Sequence, residues 1–124
     1  MTDDAVQQWL DSYVAAWRSY EPAAIGALFS ADATYAYRPW DTGDEVVRGR
    51  DAIVASWLDQ PDQERSWVAE YHPLLVSGDR AVARGVTRYG DGTVFDNLWE
   101  LRFDGEGRCT GFVEWYMERP RPAA

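Results

Sequence analysis

From Thr93 to Pro120 the chain reads TVFDNLWELRFDGEGRCTGFVEWYMERP, and this stretch limits the fold more than any other. Apolar and polar side chains alternate, break at Asp104-Gly105-Glu106-Gly107, and alternate again. That is the pattern of two half-buried antiparallel strands joined by a glycine turn. Period two puts Phe95, Asn97, Trp99, Leu101 and Phe103 on one face of the first strand, and Val113, Trp115 and Met117 on one face of the second. Two indoles with an amide among apolar neighbours predict a concave pocket wall on which Trp99 and Trp115 stand side by side. Leu98, Phe112 and Tyr116 then fall on the outer face. They are too apolar for a solvated sheet and predict a covering partner, a second copy of the chain.

The remainder supplies helices first and strands second. Asp3 or Asp4 is placed to cap a helix whose apolar residues Val6, Trp9, Leu10, Tyr13, Val14 and Trp17 recur at helical spacing. Pro22 suits the first turn of a short second helix carrying Ile25, Leu28 and Phe29, which Ser30-Ala31-Asp32 closes. Ala33 to Tyr37 reads as a strand with Tyr35 and Tyr37 on one face. Asp41 to Glu45 is an acidic loop, and Gly49 opens a third helix with Ile53, Ser56 and Trp57 down one side until Gln60-Pro61-Asp62 stops it. From Arg65 the pattern is all strand: Ser66 to Val76, a Ser77-Gly78-Asp79-Arg80 turn, Ala81 to Tyr89, then Gly90-Asp91-Gly92 into the terminal hairpin. The order is α+β: a curved antiparallel sheet wrapped around the long N-terminal helix, with two further helices. Residues 1–120 form one domain, and 121–124 read as a frayed tail.

Composition narrows the function. The formal charge of −9 argues against nucleic acid and against anionic membrane surfaces, both of which call for a basic face. No run approaches the roughly 18 apolar residues of a membrane span, and the Met1-Thr2-Asp3-Asp4 start lacks the features of a leader, so a cytoplasmic protein is expected. Cys109 is the only cysteine, which excludes an intrachain disulfide and a cysteine-based metal cluster. No metal and no cofactor is implied. Seven Trp and seven Tyr exceed what a core of this size needs, and that excess is the strongest compositional hint of a ligand site.

YVAAWRSYEPAAIGALFSADATY (Tyr13 to Tyr35), VVRGRDAI (Val46 to Ile53), and LRFDGEGR followed by EWYME (Leu101 to Glu118) together resemble the nuclear transport factor 2-like superfamily, and within it the SnoaL-like proteins. The resemblance implies a cone: a curved sheet closed on one side by helices, with a deep pocket between them. Its members include ketosteroid isomerase, limonene epoxide hydrolase, polyketide cyclases and accessory domains without catalysis, so fold alone does not decide the activity.

Matching catalytic sets residue by residue leaves each incomplete. Against the isomerase, the oxyanion-hole tyrosine falls on Tyr13, the Asp base on Tyr37 or Arg38, and the second Asp on Trp99. Neither a phenol nor an indole replaces a carboxylate in those roles. Against the epoxide hydrolase, the last-strand carboxylate falls on Trp115, with Glu114 expected on the other face, and Arg84 and Arg88 find no Asp between them. Against the cyclases, His72 and Asp96 are the available pair. Tyr13, Tyr37 and His72 are therefore the candidate catalytic residues. Tyr13, Trp17, Tyr35, Tyr37, Trp57, Asn97, Trp99 and Trp115 are the candidate ligand-binding set. Three readings stay open: a pocket for a small, largely apolar or aromatic molecule; an acid/base isomerase, cyclase or dehydratase acting on a polyketide-like or steroid-like substrate; and a non-catalytic dimerisation domain.

Overall fold

Thr2 starts the first helix, α1 (Asp3–Ser19), by accepting a hydrogen bond on Oγ1 from Ala5 N at 3.1 Å. The cap thus lies one residue before the expected acids, and Asp3 and Asp4 instead occupy the first turn, where they favour the positive end of the helix dipole. One stripe of α1 is buried: Val6, Trp9, Leu10, Tyr13 and Ala16. Tyr20 closes the helix in the left-handed region at φ 51°, which costs a β-carbon-bearing residue energy and is held by its N–H to Ala16 O at 2.8 Å. The computed structural model describes residues 1–59, 61 and 66–121. The Gln60-Pro61-Asp62 helix stop, but for Pro61, and the tail beyond residue 121 lie outside the described residues.

The second helix, α2 (Pro22–Gly26), is shorter than its apolar spacing predicts, and the first strand, β1 (Phe29–Ala36), begins where the helix was expected to continue. The reason is tertiary. Leu28 O accepts from Trp9 Nε1 at 3.0 Å and from Cys109 N at 2.8 Å, so this carbonyl is committed to a neighbouring helix and strand rather than to a further helical turn. A 3₁₀ turn at Gly43–Glu45 leads to the two-residue β2 (Val47–Arg48) and to α3 (Arg50–Asp59), which buries Ile53 and Trp57. Gly49 between them has φ 93°, a conformation that suits glycine, and donates to Ala33 O at 2.8 Å.

Strands β3 (Trp67–Ser77), β4 (Arg80–Tyr89), β5 (Val94–Phe103) and β6 (Cys109–Glu118) form the expected antiparallel meander. The six strands lie in the order β2-β1-β6-β5-β4-β3, giving a curved, unclosed sheet. One junction departs from the antiparallel expectation: β1 runs parallel to β6, so the sheet is mixed. The helices cover its concave face, and the core lies between them.

The last strand reverses the expected facing. In β5, Asn97, Trp99, Leu101 and Phe103 are buried as predicted. In β6 the register slips beside the turn: Phe103 pairs with Cys109 and Arg102 with Gly111, leaving Thr110 as an extra residue. Such a bulge exchanges the two faces for every residue beyond it. Cys109 and Phe112, three apart, both face the core, and past the bulge Glu114 and Tyr116 point to the concave side. Val113, Trp115 and Met117 therefore lie on the convex face. Trp115 is 47% exposed there and donates through Nε1 to Glu100 Oε2 at 2.6 Å. The expected pairing of Trp99 with Trp115 on one wall is corrected by that single inserted residue.

Candidate functional site

Between the helices and the concave face lies a cavity of about 360 Å³. Eleven of the fifteen described residues that line it are aromatic. Tyr13, Tyr35, Trp57 and Trp99 are buried at its base, whereas Trp17, Tyr20, Tyr37 and Tyr89 are only partly covered. Phe112 anchors the base from below, with its ring stacked on Tyr35 at 4.2 Å and 6° between planes, and parallel to Tyr13 at 5.7 Å. Trp99 leans on Tyr71 at 4.1 Å and on Tyr13 at 4.6 Å. Contacts of this kind each contribute about 0.5–1.5 kcal/mol beyond area burial, so the floor is rigid.

Four polar side chains interrupt the aromatic wall: Ser56, Thr87, Asn97 and Glu114. Three of them form a directed chain. Thr87 Oγ1 donates to Asn97 Oδ1 at 3.0 Å, so at 2.6 Å it accepts from the Tyr71 hydroxyl. This fixes the Asn97 amide with its nitrogen outward, and Nδ2 donates to Glu114 Oε2 at 3.1 Å. Trp99 Nε1 donates to the same oxygen at 2.9 Å. Glu114 is thus the acceptor on which the wall's donors converge.

Burial pushes the Glu114 carboxyl above its ordinary range, while the bonds from Trp99 and Asn97 pull the other way. A carboxyl whose folded pKa is raised stabilises the fold fully below its unfolded value of about 4.3, and that contribution is lost as pH climbs through the folded value. The phenols behave differently. Burial raises Tyr13 and Tyr35 well above 10.0 and raises Tyr37 from the same reference. At neutral pH these hydroxyls keep their protons and act as donors. Tyr13 and Tyr35 share a hydrogen bond at 2.8 Å, and Tyr37 meets Ser56 Oγ at 2.5 Å. A protonated phenol pair and a carboxylate in one small cavity can stabilise a developing oxyanion and accept a proton from the same bound molecule.

The structure brings Tyr13, Trp17, Tyr35, Tyr37, Trp57, Asn97 and Trp99 to this one cavity. It places Trp115 on the opposite face and His72 outside, where the exposed imidazole meets Gln7 Oε1 through Nδ1 at 3.2 Å. Asp96, considered as a partner for His72, is also outside, in a bidentate pair with Arg119 at 2.7 and 2.8 Å. Sequence reasoning missed Glu114, Tyr71 and Thr87. One signal was available for Glu114: Gly111 inside an alternating run is a mark of a bulge, and a bulge there turns Glu114 inward. Burial raises the Cys109 thiol to about 12, and among the described residues no three of His, Cys, Asp and Glu converge as a metal site.

Comparison with known structures agrees with this architecture. An NTF2-like protein of unknown function from Mesorhizobium loti is 18% identical, with 93% of each chain covered and a TM-score of 0.69. A Kribbella flavida protein provisionally described as a ketosteroid isomerase is 16% identical, covering 98% of this chain and 84% of that one at a TM-score of 0.72. An NTF2-like protein of unknown function from Burkholderia xenovorans LB400 is 15% identical, covering 98% and 88% at 0.72. At such identities the likeness speaks for the fold alone. No curated protein matches the chain by sequence. A family profile described as the SnoaL-like domain does match it, over residues 10–112. With most of its length inside that match, and with the helix-covered curved sheet in place, the chain belongs to the SnoaL-like family of the nuclear transport factor 2-like superfamily.

Proposed function

We propose that this SnoaL-like protein binds a small, flat, largely apolar molecule in the aromatic cavity. The observation that carries the reading is the cavity itself: about 360 Å³, mostly aromatic, with a few convergent polar groups. That is the character of small-molecule sites generally. The test uses 2-naphthol as probe, followed by calorimetry and saturation-transfer NMR. Saturable binding is expected in the wild type and loss of it in Ser56→Phe, which fills the cavity from α3. Binding that survives Ser56→Phe, or no binding to the wild type, contradicts the reading.

A second reading is favoured by Glu114 sharing the cavity with the Tyr13–Tyr35 hydroxyl pair. In it the pocket carries out acid/base chemistry of the isomerase, cyclase or dehydratase kind. Glu114 takes the proton-transfer role that the sequence offered to Tyr37 or His72, and the phenols steady the charge left on substrate. A homodimer is also proposed, with the covered face redrawn by the bulge: Leu98, Trp115 and Met117 replace Leu98, Phe112 and Tyr116. Met117 is 74% exposed and Trp115 47%, adjacent to each other on the convex side. Sedimentation at micromolar concentration is expected to give about twice the 14.1 kDa chain mass, and a monomer alone contradicts it. A cytoplasmic location is supported by the acidic balance and by the lack of any described helix long and apolar enough to cross a membrane.

A further inference from the structure

Glu114 is the one acidic side chain among the described residues that line the cavity. The other described lining residues are indoles, phenols, a phenyl ring, two hydroxyls and an amide. Among the described residues no Lys, Arg or His lines it. Arg84 and Arg88 are exposed on the convex side of β4, Arg119 is engaged with Asp96, and the Arg18 guanidinium lies over the Trp67 ring at 4.4 Å. A carboxylate removed from water is tolerated when it is paired or fully hydrogen-bonded, and this one is neither. Both of its hydrogen bonds fall on Oε2. Oε1 takes none, yet no buried side-chain oxygen among the described residues is left unpartnered, so Oε1 is open to the cavity.

We infer that the ligand of this pocket is an organic cation, a protonated amine or quaternary ammonium on an aromatic or apolar body, whose charged centre sits against Glu114 Oε1. The inference rests on the cavity being a small-molecule site and adds the sign of the ligand's charge. Two features of the wall suit a cation independently of the carboxylate. Aromatic faces attract a positive centre through their quadrupole, most of all when it is desolvated, and eleven such rings line the cavity. The chain's net charge of −9 raises the local concentration of cations and repels anions before any contact forms. An anionic ligand would face Glu114 without a compensating base. A neutral one without a donor would leave Oε1 unpaired, and one with a donor would leave its charge unbalanced.

The experiment compares two molecules of the same shape, (3-hydroxyphenyl)trimethylammonium and 3-tert-butylphenol, by calorimetry at pH 8. The wild type is expected to bind the ammonium at least about tenfold more tightly than the phenol. Glu114→Gln keeps the shape and an acceptor for Trp99 and Asn97, and should reduce that preference to within about threefold. Phenol binding as tight as ammonium binding in the wild type overturns the inference and leaves the pocket reading standing. A preference that survives Glu114→Gln overturns it likewise. If neither molecule binds the wild type, the inference and the pocket reading fall together.

Discussion

Trp99→Ala is expected to lower folding stability by about 4 kcal/mol, read as a fall in the urea midpoint at unchanged slope. The ring is 1% exposed and packs against Tyr71, Tyr13 and Phe112, with centroids between 4.1 and 4.9 Å away. Truncation leaves a void that stacked aromatics cannot easily close. It also deprives Glu114 of one of two donors, and weakening the shell around a buried carboxylate adds roughly 1–3 kcal/mol. Trp99→Phe separates these effects: most of the packing stays and only the N–H is lost, so its cost should be less than half as large. A Trp99→Ala loss below about 1 kcal/mol would place the indole in solvent and invert the facing of β5.

Gly85→Ala should cost about 3 kcal/mol or more, although the change adds one carbon. A Cβ built at Gly85 would stand 2.1 Å from Glu70 O and 2.1 Å from Tyr71 Cδ1. The first contact is backbone in the neighbouring strand and cannot swing away. The second is the ring that crosses Gly85 from its paired position on β3, where the Tyr71 hydroxyl reaches Thr87. Displacing that ring loosens the donor chain that orients Asn97 toward Glu114. The variant is therefore expected to weaken the pocket as well as the fold. Melting within a few degrees of wild type would contradict the tight packing of β3 on β4.

Periodicity carried much of the architecture. The stripe from Val6 to Trp17 identified α1, and alternation identified β5 with Asn97 and Trp99 inward, because both patterns are local consequences of how a backbone repeats. What escaped the sequence was decided between distant residues. Nothing near Leu28 announces that Trp9 and Cys109 will claim its carbonyl and end α2 early. The facing of β6 turned on Thr110, one extra residue whose accommodation depends on pairing with both β5 and β1. That residue moved Trp115 out of the candidate site and moved Glu114 in. Tyr37 stayed in the site but changed its expected role, since partial burial raises its phenol further and holds it protonated, as a donor and not a base. His72 left the site because Tyr71, its neighbour, took the inward position on β3.

The carboxyl of Glu114 is the centre of this account, and its titration can be observed directly by following its ¹³Cδ resonance with pH while monitoring the Trp99 indole proton and the Asn97 side-chain amide protons. The expected result is a midpoint above the ordinary glutamate value of about 4.3, with the Trp99 and Asn97 signals moving at that same midpoint because both donate to Oε2. An ordinary midpoint with a silent indole proton would mean that Glu114 lies in solvent, that β6 has no face exchange, and that the cavity holds no carboxylate.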